Sequence, residues 1–161
     1  MAKDKKKTMM STGTIAVNRR ARHDYAIEEE FEAGIVLTGT EVKSLRMGTV
    51  NLSDSYAAPK GDKVLLHNLY IGEYPHAPPR AQHEPKRIRP LLLHKREIAR
   101  LTGAVQRDGL TLVPMRMYFN NRGIAKLALG LGRGKRQVDK RQDIKKRDWD
   151  RRKAAILRRE G

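Results

Sequence analysis

Residues 133–161 hold thirteen Lys or Arg against five Asp or Glu, and their only apolar side chains are Val138, Ile144, Trp149, Ile156, Leu157 and two alanines. A segment so composed cannot supply a core, because its charges are too expensive to bury and its apolar groups too few to compensate. The core must come from what precedes it. The chain therefore divides into a basic N-terminal arm, 1–12, a body, 13–132, and a basic tail, 133–161. The first eight residues carry four lysines against Asp4. The body is long enough for one domain with its own core.

Within the body, short apolar runs are punctuated by turn residues. Thr14–Val17 predicts a strand, and Asn18 is placed to cap a brief helix through Arg22. Tyr25–Leu37 predicts a long strand with an acidic centre at Glu28–Glu30, and Gly34 marks a bulge or a close approach. Thr38–Gly48 predicts a helix capped by Thr40 and ended by Gly48. Tyr56–Pro59 and Val64–Tyr70 are strands around the turn signal Lys60-Gly61-Asp62. Five prolines in 75–90 predict an exposed loop. Leu93–Leu101 predicts an amphipathic helix stopped by Gly103. Leu110–Phe119 and Ile124–Leu131 are strands around Asn121-Arg122-Gly123. The sum is a mostly β fold. The expected form is a small β-barrel of the oligonucleotide-binding type with about three short flanking helices.

The formal net charge of +17 concerns partners, not fold. RNA, DNA and anionic membranes all attract such a chain. No apolar run is long enough to span a bilayer, and the basic start is not followed by the apolar stretch of a secretory signal. With no cysteine there are no disulfides or thiolate zinc sites, which fits a cytoplasmic setting.

Catalytic constellations are missing. Gly130-Leu131-Gly132-Arg133-Gly134-Lys135 invites a phosphate-loop reading, but the required first Gly is Leu129 and the residue after Lys135 is Arg136. A flexible hinge between body and tail is the expected role of that stretch. His76 and His83 stand in the proline-rich loop without metal-ligand spacing, and no set of carboxylates is placed to converge. No catalytic residue, metal or cofactor is expected, and the chain reads as a binding protein and not an enzyme.

Three basic clusters point to RNA. Asn18, Arg19, Arg20, Arg22 and His23 offer guanidinium and imidazole groups that contact phosphate and stack on splayed bases. Lys86-Arg87-Ile88-Arg89 is a second cluster, in the proline-rich loop. In the tail, Lys140-Arg141, Lys145-Lys146-Arg147 and Arg151-Arg152-Lys153 recur at helical spacing, and Trp149 and Ile156 share one helix side. A tail of this kind is expected to be disordered when free and to fold on a phosphate-rich surface.

Asn18–Tyr25 (NRRARHDY), Glu32–Arg46 (EAGIVLTGTEVKSLR), Asn51–Tyr56 (NLSDSY), Leu91–Ile98 (LLLHKREI), Thr111–Pro114 (TLVP) and Gly134–Arg147 (GKRQVDKRQDIKKR) together resemble the SsrA-binding protein (SmpB) family, in its order and spacing, over roughly 14 to 159. The resemblance implies a bacterial, cytoplasmic, monomeric adaptor in trans-translation. Its body binds the tRNA-like domain of transfer-messenger RNA (tmRNA) and delivers it to the A site of a stalled ribosome. Its tail becomes helical in the empty mRNA channel, near 16S rRNA and the decoding centre, and the stalled peptide is tagged for degradation. It further implies RNA contacts at Glu32, Lys43, Arg46, Leu92 and Lys126. In the tail it implies ribosome contacts at Lys135, Arg136, Asp139, Lys140 and Arg141. They continue through Lys145, Lys146, Arg147, Trp149, Arg151, Arg152, Lys153 and Ile156. Two positions depart from the family pattern: Pro90, often basic in relatives, and Val138, often His or aromatic.

Overall fold

The computed structural model describes residues 12–135 and 137–159, the side chains of 137–143 and 159 apart. The N-terminal arm thus lies almost wholly outside the described residues. Nine strands are described: β1 Gly13–Val17, β2 Tyr25–Ile35, β3 Val50–Asn51, β4 Tyr56–Lys60, β5 Lys63–His67, β6 Tyr70–Ile71, β7 Arg89–Leu92, β8 Thr111–Phe119 and β9 Ala125–Gly134. Four α-helices accompany them: α1 Ala21–Asp24, α2 Gly39–Arg46, α3 Lys95–Arg107 and α4 Gln137–Arg159. The fold is mostly β, as the alternating runs require.

Seven strands form one antiparallel sheet in the order β1-β8-β4-β5-β7-β2-β9, and β9 also pairs with β8. That last pairing closes the strands from β8 round to β9 into a ring, with β1 laid on the outside edge of β8. Strands β3 and β6 make a separate ribbon. Inside the ring lie Leu112, Met117, Leu127, Leu129, Leu66, Val64, Leu91 and Ala33, with Leu45 from α2 and Leu101 from α3 packed against them. A second, smaller cluster sits outside it, where Ala21 of α1 meets Val113 and Met115.

Several local expectations are corrected. Asn18 does not cap α1. Its amide donates to the Pro114 carbonyl at 3.0 Å, and its backbone N–H donates to Met115 O at 2.8 Å. The residue before α2 that accepts the capping role is Thr38 and not Thr40. The Thr38 N–H donates to Glu41 at 2.9 Å, closing the first turn from the helix side. Helix α3 runs through Gly103 to Arg107 and ends at Gly109, whose φ of +65° only glycine takes without strain. The proposed hinge at 130–134 is strand. Gly132 faces Ile27 on one side and Thr111 on the other, and a Cβ there would overlap the Ala26 carbonyl.

The proline-rich stretch is not a simple exposed loop. Pro90 lies in β7 between β5 and β2, and its carbonyl accepts from Val36 N–H at 3.0 Å. Arg87 and Arg89, read as RNA-facing, turn inward onto Glu41. Arg87 donates to Glu41 Oε1 at 2.6 Å, and Arg89 pairs with Oε2. Arg89 also donates to the carbonyls of Leu69 at 2.6 Å and Pro85 at 3.1 Å. Burial opposes the charge on Glu41, but Arg87, the Thr38 N–H and Arg89 outweigh it and hold the carboxyl below its ordinary value.

Two stability predictions follow from this geometry. Glu41→Gln leaves Arg89 buried without its counter-ion and is expected to cost about 3–5 kcal/mol in a denaturant melt. Because the Glu41 pKa is depressed on folding, its contribution is present above the ordinary 4.5 and fades as pH falls through the lower folded value. The gap between wild type and variant should therefore shrink on acidification below that point. Gly132→Ala is expected to lower the melting midpoint through overpacking of about 1–3 kcal/mol.

Candidate nucleic-acid interface

The outer face of the ring over β7, β2, β9, β8 and β1 carries two cross-strand rows. Register places Leu92, Gly34, Lys126, Tyr118 and Thr14 side by side. Two residues along each of the three central strands, the next row is Glu32, Ala128, Arg116 and Val17. Because side chains alternate along a strand, both rows point the same way, out of the ring. A bulge between Pro114 and Arg116 lets β8 keep Leu112 and Met117 inside while Arg116 faces solvent. Gly34 is the close approach expected from sequence: a Cβ there would stand 3.1 Å from Leu92 Cβ. Leu92 is 61% exposed and presents its side chain on this face.

The polar groups on this face hold one another. The Tyr118 hydroxyl donates to Glu32 Oε2 at 2.5 Å. The Arg116 guanidinium lies 4.6 Å from the Tyr118 ring centroid, a cation–π distance. Arg116 also reaches Thr14 Oγ1 at 3.4 Å. Desolvation, then the Glu32 carboxylate, push the Tyr118 phenol up to about 12, while Arg116 pulls the other way. Arg116 and Tyr118 were not singled out from sequence, although the alternation Met115-Arg116-Met117-Tyr118-Phe119 is the signal that puts both on one face.

The face continues toward α1. Val17, Arg19, Arg22, Glu30, Arg116 and Ala128 line a cleft of about 250 Å³. Arg22 bridges to Glu30 at 2.7 Å, and His23 meets Asp24 at 2.9 Å. Arg19 and Arg20 are exposed, whereas Asn18 is buried and holds backbone. Beyond α1, a second cleft of about 420 Å³ is lined by Arg19, Arg22, His23, Lys135, Lys146 and Arg147, with Asp150 at its edge. Cationic groups therefore run from the ring face across α1 to the start of α4.

Not all predicted residues join this surface. Lys43 and Arg46 sit on α2, which packs on β6 and the separate ribbon. Lys146 and Arg147 of α4 join the surface through the second cleft, where α4 meets α1, whereas Lys145, Trp149, Arg151, Arg152, Lys153 and Ile156 are exposed elsewhere on that helix. They are not docked on the ring. Asp139, Lys140 and Arg141 are helical in backbone, with side chains outside the described residues, and Arg136 lies outside them altogether. Among the described residues, no His, Asp or Glu group is arranged to hold a metal ion. No described helix is long and apolar enough to cross a membrane.

The Tyr118–Glu32 contact has a spectroscopic consequence. In an alkaline absorbance titration, one tyrosine should ionise near pH 12, well after a free phenol, and Glu32→Gln should bring it back toward 10. An unchanged titration in the variant would show that the carboxylate does not hold this phenol.

Comparison with known proteins agrees with the geometry. The family model described as SmpB protein matches residues 15–159. The SsrA-binding protein of Rhodospirillum rubrum is 53% identical over 154 residues, covering 96% of both chains. That of Caulobacter vibrioides is 56% identical over 144 residues, 89% of this chain and 94% of the relative. That of Sphingomonas elodea is 52% identical over the full length of both. Among solved structures, a chain of "tmRNA-SmpB: a journey to the center of the bacterial ribosome" superposes with a TM-score of 0.65 at 49% identity, covering 84% of this chain and 95% of that one. This chain, with its closed strand ring and basic helical tail, belongs to the SmpB family.

Proposed function

We propose that the protein binds the tRNA-like domain of tmRNA and carries it to the A site of ribosomes stalled without a codon. The observation that carries this reading is the match of nearly the whole chain, tail included, to SsrA-binding proteins and to a chain solved with tmRNA–SmpB. We read the closed ring as a barrel of the oligonucleotide-binding type, whose outer strand face is the surface offered to RNA.

On this reading, Lys126, Arg116, Arg19 and Arg22 meet phosphates. Glu32 accepts from base amino groups, since a carboxylate recognises exocyclic N–H donors. Tyr118 keeps that carboxylate aimed. Exposed Leu92 packs against a ribose or base edge. The protein does so as an adaptor in the cytoplasm, without catalysing a reaction. The tail acts separately. An isolated helix gains little from backbone bonds alone, and the main contact of α4 with the body is the short helix α1. We infer that its helix is weak in the free protein and completes itself among the phosphates of the empty mRNA channel. Lys140, Arg141, Lys145–Arg147 and Arg151–Lys153 supply the contacts there, with Trp149 and Ile156 on one side.

The test compares affinity for tmRNA with affinity for an equally long structured control RNA, using the full chain and a chain ending at Lys135, one residue past β9. A preference for tmRNA kept after truncation, with peptide tagging lost in a reconstituted stalled-ribosome assay, is the expected result. Equal affinity for both RNAs would leave only a general RNA binder. Binding should weaken with salt, log K falling by about 0.7 to 0.9 per neutralised phosphate per decade.

A further inference from the structure

The connection from β6 to β7 is far longer than joining two strands requires, and long connections inside compact domains are commonly functional. It is also braced from within. His83 is buried, with Nδ1 2.8 Å from Thr40 Oγ1 and Nε2 2.9 Å from Ile71 O. The Gln82 side chain accepts from the Tyr74 N–H at 3.0 Å, and donates to the Tyr74 carbonyl and to Ala77 O at 3.1 Å. Arg87 ties the far end to Glu41 and to Val36 O at 3.0 Å. A segment rich in proline and held by buried side chains has already lost its conformational entropy on folding, so a ligand need not supply that ordering.

What this braced loop presents is an aromatic pair beside a cation. The exposed His76 ring stands edge-to-face against Tyr74 at 5.4 Å, and Lys43 Nζ of α2 lies 5.5 Å from the Tyr74 centroid. Tyr74 thus contacts both an open imidazole and an ammonium, and none of the three belongs to the two rows of the ring face. An exposed flat ring next to a positive charge matches an unpaired nucleotide: the base stacks and the phosphate pairs.

We propose that Lys43, Tyr74 and His76 form a second RNA contact that takes an unpaired nucleotide, its base on His76 and its phosphate on Lys43, with Tyr74 positioning both. The ligand class rests on the RNA-binding reading above, but the site is separate from the ring face.

The probe is a single-stranded uridine oligonucleotide containing 4-thiouridine, photo-crosslinked to the full chain and mapped by mass spectrometry. A crosslink within 74–76 is expected. His76→Ala and Lys43→Ala should each lower affinity for the single strand at least about fivefold, with affinity for a blunt RNA duplex unchanged. Tyr74→Ala should match a variant carrying both His76→Ala and Lys43→Ala, while Tyr74→Phe, which keeps the ring, should bind as wild type. Crosslinks confined to α1 and α4, with wild-type binding by His76→Ala and Lys43→Ala, would overturn the proposal. So would loss of an acidic peptide's binding, but not of RNA's, in those variants. Lys126→Ala and Arg116→Ala, tested on tmRNA alongside, report on the ring face independently, so failure of either reading is seen separately.

Discussion

Strand β9 is hydrogen-bonded along both edges, to β2 over Tyr25–Gly34 and to β8 over Thr111–Phe119. This double pairing turns an open sheet into a ring, and it dictates the composition of the strand. Inward positions Leu127, Leu129 and Leu131 fill the interior. Outward positions shrink along the strand, from Lys126 to Ala128 to Gly130 and Gly132. A Cβ on Gly130 would press on Met115 and Ile27, the residues that seat α1 outside the ring. The small residues thus make room for α1 at one end, and Lys126 remains open at the other. The arginines of α1 and the cations of the face become one surface because the closing strand tapers.

Glu41 organises the opposite side. Its carboxylate takes donors from α2's own first turn and, more than forty residues on in sequence, from the end of the proline-rich connection and the start of β7. Desolvating a carboxylate and two guanidinium groups is expensive, and a well-packed apolar cluster often does as well. What an apolar cluster lacks is direction. Forked donors from Arg87 and Arg89 fix the connection in register, because Arg89 simultaneously reaches the carbonyls of Leu69 and Pro85. The same pin fixes one end of the connection that carries Tyr74 and His76, while Gln82 holds Tyr74 within it.

Strands β1, β2, β4, β5, β8 and β9, the tight turns at Gly61 and Gly123 and the basic tail were legible in the sequence because alternation, turn chemistry and charge are local signals, whereas β7 and the β3–β6 ribbon were not. The errors were of another kind. Arg87 and Arg89 looked like a surface cluster because no local pattern announces a buried counter-ion forty-eight or so residues away, at Glu41. Glycines 130–134 looked like a hinge because small residues read as flexibility when their neighbours are unknown. In the fold they are demanded by close backbones. Gly103 failed to stop α3 for a similar reason: Leu101 and Ala104 are buried on either side of it, and tertiary packing outweighs the propensity penalty of roughly 1 kcal/mol. Of the site, the α1 arginines and Lys126 were named, while Arg116 and Tyr118 needed the register of three strands.

A cationic surface built beside a strand as acidic as β2 calls for an electrostatic account. Glu28 pairs with Arg133 at 3.4 Å, Glu29 with Arg100 at 2.7 Å and Glu30 with Arg22 at 2.7 Å, while Glu32 takes the Tyr118 hydroxyl. These pairs are largely exposed, and such bridges contribute only about 0–1 kcal/mol each to stability. Their value lies elsewhere. Each cancels a carboxylate's field where a phosphate backbone would otherwise be repelled. Arg22, held by Glu30, lines the cleft beside α1, whereas Arg100 of α3 lines another with Glu28 and Glu29. A polyanion arriving over α1 needs only to take Arg22 from Glu30, exchanging one anionic partner for another. That exchange leaves Glu30 exposed to water, where an unpaired carboxylate is cheap, so the acidic strand acts as a holder for the basic groups rather than an obstacle to them.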